Sequence, residues 1–227
     1  MLFTPLGQSS ADPFNPSVTP KRYSKSVTIA ITMMEAWSSY VRSLQHSLSG
    51  LIATRRNGAT LSNDEGFAEW VGMTHATQSA GGFLYVIGNG GSAGMASHMA
   101  EDACKNGGLR ALAFNDPSFL TAIANDQSFD EVFSTPLERL ARAGDLLITI
   151  SSSGNSPNIV RALDTAIRMG LKTVTLSGFD PQNRSRGLGD VNFYIPARRY
   201  GWVECSHQIV MHNWLDQYLD QYGSGAI

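Results

Sequence analysis

"FLYVIGNG" (residues 83–90) and "DLLITISSSGNS" (145–156) are the two stretches on which the fold turns. Each opens as a short apolar run and ends in glycine, asparagine and hydroxyl side chains, as a strand buried on both faces does where it runs out into a loop. Three further runs, "LRALAF" (109–114), "KTVTLSG" (172–178) and "VNFYIP" (191–196), complete the set, and helical segments separate them. Strands that alternate with helices build a parallel sheet covered on both faces, so the sequence predicts a doubly wound α/β core. Ligands of such sheets bind beyond the carboxyl ends of the strands. The loops that follow the first and third runs are therefore where a site is expected.

Upstream of these runs the pattern is helical. Val27, Ile31, Met34, Trp37, Val41, Leu44, Leu48 and Leu51 recur every three or four residues, which predicts an amphipathic helix from Ser24 to about Thr54 with a stripe long enough to meet a partner helix. A second helix is expected after Asn63-Asp64, whose side chains can cap it, and it ends near Gly81-Gly82. A last helix, from about Trp202 to Tyr222, carries Val203, Ile209, Val210, Trp214, Leu215 and Leu219 as its buried stripe. Residues 1–23 hold Pro5, Pro13, Pro16 and Pro20 among small polar residues and read as a flexible leader; residues 24–222 read as one domain.

Composition narrows the function. The chain of 227 residues is 42% hydrophobic and 16% charged, the balance of an ordinary soluble globular domain. Its 17 basic and 19 acidic residues leave a net charge of −2, and its basic runs are no longer than the pairs Lys21-Arg22, Arg55-Arg56 and Arg198-Arg199. The electrostatic footprint of a nucleic-acid binder is missing, so no nucleic-acid partner is expected. The apolar run after Lys21-Arg22 is closed by Glu35 and continues with helical spacing, which is not how a secretion signal reads. No stretch is long and apolar enough to span a bilayer, so no membrane partner is expected either. Two cysteines, Cys104 and Cys205, form no framework and read as inert buried thiols in a reducing, cytoplasmic compartment.

The first loop, "GNGGSAG" (88–94), formally fits a dinucleotide fingerprint but lacks the Gly-Lys-Ser/Thr of a nucleoside-triphosphate loop. What survives both comparisons is a turn presenting backbone N–H groups and the Ser92 hydroxyl at a helix N-terminus, where an anion is stabilised. The second loop separates the alternatives. "SSSGNS" (151–156) places Ser151, Ser152, Ser153 and Ser156 around a glycine just before a helix opened by Pro157, a neutral cradle for phosphate. A sugar-phosphate binder needs that second cradle; a nicotinamide enzyme does not.

"GNGGS", "HMAED", "AIAND", "ISSSGNS" and "TLSG", taken together over about residues 83–216, resemble the sugar isomerase (SIS) domain, specifically its phosphoheptose isomerase branch. The resemblance implies a flavodoxin-like, five-stranded parallel sheet with N-terminal helices. It also implies a homotetramer with sites at subunit interfaces and an aldose–ketose isomerisation of a seven-carbon or larger sugar phosphate through a cis-enediol. Phosphate would sit on Ser151, Ser152, Ser153 and Ser156, with Asn89, Ser92 and Asp126 on the sugar. Many members bind zinc through four residues whose positions fall here on His98, Asp102, Glu204 and His212, so a divalent cofactor, Zn²⁺ by preference, is expected at those four.

Two of the four positions are changed. The family places a glutamate where this chain has Asp102, and a neutral glutamine where it has Glu204; Gly201 stands where many members have a further aspartate. Glu101, although longer than Asp102, points about 100° away round the helix. Carried over by the resemblance, Asp102 is the base and His212 the acid, with Glu204 as the alternative base. His207 is a spare ligand candidate. The competing reading is a non-catalytic SIS scaffold similar to the DnaA initiator-associating protein, which "LTAIAND" (120–126) and "DEV" (130–132) resemble, or a phosphosugar-sensing module.

Overall fold

The computed structural model describes residues 37–223. The segment read as a leader, and the first part of the helix expected from Ser24, lie outside the described residues. In chain order the elements are α1 (Trp37–Ser49), β1 (Ile52–Arg55), β2 (Thr60–Leu61), α2 (Asn63–Ser79), β3 (Leu84–Gly88), α3 (Gly91–Lys105) and β4 (Ala111–Ala113). They continue with α4 (Pro117–Asp126), α5 (Ser134–Leu140), β5 (Leu146–Ser151), α6 (Pro157–Met169), β6 (Lys172–Ser177), β7 (Val191–Tyr194) and α7 (Tyr200–Tyr222).

All seven strands join one sheet in the order β2-β1-β7-β6-β5-β3-β4. Strands β3 to β7 are mutually parallel, in the flavodoxin-like order that the sequence implies. These are the five parallel strands expected; beyond them, β1 pairs antiparallel with both β7 and β2 and adds to one edge a hairpin that the sequence reading did not include. The first helix was expected to run to about Thr54 because Leu44, Leu48 and Leu51 carry a helical pattern past its true end at Ser49. Gly50 closes α1 with its N–H on His46 O at 3.0 Å, and Ile52–Arg55 are drawn off to pair with Val191–Tyr194.

Alternating strand side chains divide the core into two layers. Leu84, Val86, Ile148, Val174 and Phe193 pack with residues of α2, α3 and α7, whereas Tyr85, Ile87 and Leu147 pack with residues of α5 and α6. Between α2 and α7 the rings of Trp70 and Trp214 stack with centroids 4.6 Å apart, and Trp214 Nε1 donates to Thr74 Oγ1 at 3.0 Å. Ser62, one residue before the expected pair, caps α2 through a reciprocal box with Glu65. On α7, Val203, Val210, Trp214 and Leu215 are buried as expected, but Ile209 is exposed; Met211 and Tyr218 complete the stripe in its place. Among the described residues no helix is long and apolar enough to cross a membrane.

His207 lies in the core and not at a ligand position. It is fully buried, its Nε2 donates to the Ser177 carbonyl at 3.2 Å, and burial pushes its pKa down to about 4. In the unfolded chain the same imidazole takes up a proton below about pH 6.5. The unfolded state therefore binds more protons between those values, and stability falls as pH drops from about 6.5 towards 4, by at most about 3 kcal/mol. Urea titrations across that window should show a slope that His207→Asn flattens; an equal slope in both proteins would contradict it. Trp214→Ala should cost about 3–5 kcal/mol, read from the urea midpoint at pH 7.

Candidate active site

The strand order reverses at β3, which has β4 on one side and β5 on the other. Its loop and that of β5 therefore open side by side, with α3 packed on one face of the sheet and α6 on the other. The cavity between them, of about 260 Å³, is lined by Asn89, Ser92, Ser151, Ser152, Ser153 and Ser156, six of the seven residues expected to hold the sugar phosphate. Gly90 and Gly91 bring in the first turn of α3, and Ser156 is the N-cap of α6, so two helix N-termini face the same space.

The loops are braced by hydrogen bonds to the elements around them. Asn89 and Asn158 exchange both amide hydrogen bonds, at 2.9 and 2.8 Å, tying the first loop to the start of α6. Asn158 was not singled out in the sequence, because one asparagine at a helix start carries no signal without its partner. Gly154 adopts φ +62°, and a Cβ there would fall inside the buried Asn183 side chain. Ser185 holds the Gly154 carbonyl with both its N–H and its hydroxyl, at 3.0 and 2.8 Å. The Ser152 hydroxyl is buried without a hydrogen-bond partner among the described residues, the expected condition of a donor kept for a ligand.

Asp126 is not brought to the cavity. It ends α4, is exposed, and accepts from Asn125 Nδ2 at 2.8 Å. Glu204 does line the cavity, its carboxylate lying over Gly91, where an added Cβ would be 3.4 Å from Oε1. Tyr200, one turn earlier on α7, forms another wall, with Phe179 edge-on to it at 4.8 Å. Neither aromatic was read from the sequence.

A second group lies where α3 passes α7. His98, Asp102 and His212 each offer one ligand atom, all within 4.8 Å of one another. His98 Nε2 is 3.2 Å from Asp102 Oδ2, and the two imidazole rings meet at 70° with centroids 5.5 Å apart. Imidazole and carboxylate ligands suit a divalent cation such as zinc. Three of the four expected ligands are thus assembled, while Glu204 is not part of the group. Glu101 stays outside and pairs with Lys105 at 3.0 Å. Both cysteines are exposed, not buried as expected, because each falls on the solvent side of its helix. At Gly201 an added Cβ would lie 2.8 Å from Tyr40 Oη of α1, so a larger residue there would require the Tyr40 side chain to shift.

The chain belongs to the SIS domain family, whose model matches residues 40–178, more than half of its 227 residues. Its branch of that family is the phosphoheptose isomerases. The phosphoheptose isomerase of Colwellia psychrerythraea is 38% identical over 141 residues, covering 59% of this chain and 72% of that one. The structure of the phosphoheptose isomerase of Neisseria gonorrhoeae superposes with a TM-score of 0.68 at 30% identity, over 80% of this chain and 94% of that one. The corresponding protein of Francisella tularensis shares the fold, with a TM-score of 0.70 at 22% identity, over 81% and 96%.

Gly154→Ala should displace the serine loop and the Asn183 side chain that it would overlap. The expected result is a loss of about 1–3 kcal/mol of stability together with loss of protection by inorganic phosphate in thermal melts. Retained protection by phosphate would show that the loop does not form the cradle.

Proposed function

We propose that the chain is a sugar-phosphate isomerase that interconverts a ketose phosphate and an aldose phosphate of seven or more carbons through a cis-enediol. The observation that carries the reading is the meeting, in one cavity, of the serine loop, two helix N-termini and the Glu204 carboxylate. The serines and helix ends take the phosphate, which fixes the open-chain sugar with its reactive carbons beyond the loop.

Isomerisation moves one proton between adjacent carbons and one between their oxygens. A carboxylate takes the proton from the carbon beside the carbonyl and returns it to the former carbonyl carbon, while the hydroxyl proton passes to the carbonyl oxygen. Of the two candidate bases, Asp102 and Glu204, the geometry favours Glu204. Both oxygens of Asp102 are engaged, Oδ2 by His98 and Oδ1 by Asn106 Nδ2 at 3.2 Å, whereas Glu204 faces the phosphate cavity. The His98–Asp102–His212 group would hold a divalent cation, which when bound stabilises negative charge on the enediol oxygens. His212, carried over as both ligand and acid, serves in this reading as a ligand.

A carboxylate facing an anion cavity weakens simple phosphate binding by Coulomb repulsion. A scaffold or sensing module gains nothing from it, whereas a proton-transfer catalyst requires it. Assembly into a tetramer in the cytoplasm belongs to the same proposal; the exposed Trp37 and Val41 on α1 are the apolar side chains a second subunit would cover. The purified protein should convert a seven-carbon ketose phosphate to the aldose phosphate, and Glu204→Gln should lower kcat about 10²–10⁴-fold with little change in KM. Undiminished kcat in that variant would remove Glu204 from the mechanism. A wild type inert towards seven- and eight-carbon ketose phosphates would overturn the reading as a whole.

A further inference from the structure

Glu204, Gln208 and His212 follow one another at four-residue intervals on α7 and so share one stripe of the helix. Gln208 stands in the middle, facing α3. Its Nε2 lies 2.8 Å from His212 Nε2, 3.4 Å from His98 Nδ1 and 3.5 Å from Met99 Sδ. An amide nitrogen only donates, so both imidazole nitrogens accept from it, and the lone pairs of two histidines on different helices converge on one side-chain amide. His98 then carries its proton on Nε2, facing Asp102.

We propose that Gln208, through its amide oxygen, is the fourth ligand of the cation site, in the place the family pattern gives to Glu204. The proposal rests on the reading of His98, Asp102 and His212 as that site. Rotating the terminal amide exchanges NH₂ for carbonyl oxygen with no backbone movement, so one side chain both satisfies the two lone pairs and offers a ligand beside them. The amide absent from position 204 is thereby supplied one helical turn later, and Glu204 is free to face the serine loop. Charge follows the same division. Two neutral imidazoles, one carboxylate and one amide around a divalent cation leave a net charge of +1, attractive to an enediolate oxygen; a second carboxylate ligand would bring the total to zero.

The test uses the intact protein, stripped of metal by a chelator and titrated with Co²⁺, with uptake followed by visible absorption. Wild type should bind and His98→Ala should not. Gln208→Ala should weaken Co²⁺ binding about tenfold or more, since even groups outside the ligand shell change metal affinity 10–100-fold. Gln208→Glu, which keeps a ligand oxygen, should restore it, and Glu204→Gln should stay within about twofold of wild type. Thermal melts of each metal-free variant separate loss of the ligand from loss of the fold. If Glu204→Gln weakens binding tenfold while Gln208→Ala does not, the assignment of Gln208 is overturned and the cation site stands. If wild type takes up no Co²⁺ at all, the cation site itself is overturned, and this inference with it.

Discussion

The point at which the parallel sheet changes direction governs everything built on it. Strand β3 is laid down first among the parallel strands; β4 is added on one side and β5 on the other. Because parallel crossovers are right-handed, opposite directions of growth put α3 and α6 on opposite faces of the sheet. Their N-termini are then left side by side above the ends of β3 and β5. No surface cation is needed to make that place attractive to phosphate, since the helix dipoles, backbone N–H groups and serine hydroxyls supply the positive potential. The side chains lining the cavity include no lysine or arginine, and Glu204 is the charged residue among them.

The division of labour along α7 follows from helix geometry. One stripe of this helix passes the serine loop at Glu204 and α3 at Gln208 and His212, so a single rigid element serves both the anion cavity and the imidazole group. A neighbouring stripe, with Val210, Trp214 and Tyr218, is fixed in the core against α2. A shift of α7 would move both halves of the site together. The stacked tryptophans thus hold the helix that carries both groups.

The parallel strands were legible because each is a continuous apolar run, and the two loops because glycine and serine are concentrated there. Less visible were features that depend on a distant partner. Strand β1 hides inside a helical spacing, since Leu44, Leu48 and Leu51 do not reveal that Gly50 breaks the pattern and that β7 is waiting to pair. Asn158 is meaningful only beside Asn89, and Gln208 only beside two histidines, one of them 110 residues earlier. His98, Asp102 and His212, which the family spacing groups, lie within 4.8 Å of one another. Glu204, grouped with them by the same spacing, lines the serine-loop cavity, because spacing along a helix does not show which way a side chain turns.

Both margins of the sheet are brief: β2 has two residues at one end of the strand order and β4 has three at the other. So short a row of backbone donors and acceptors gives another chain little to add a strand to. Association that continues the sheet from molecule to molecule is thereby disfavoured, and copies of this protein that do associate are directed to meet through their helices.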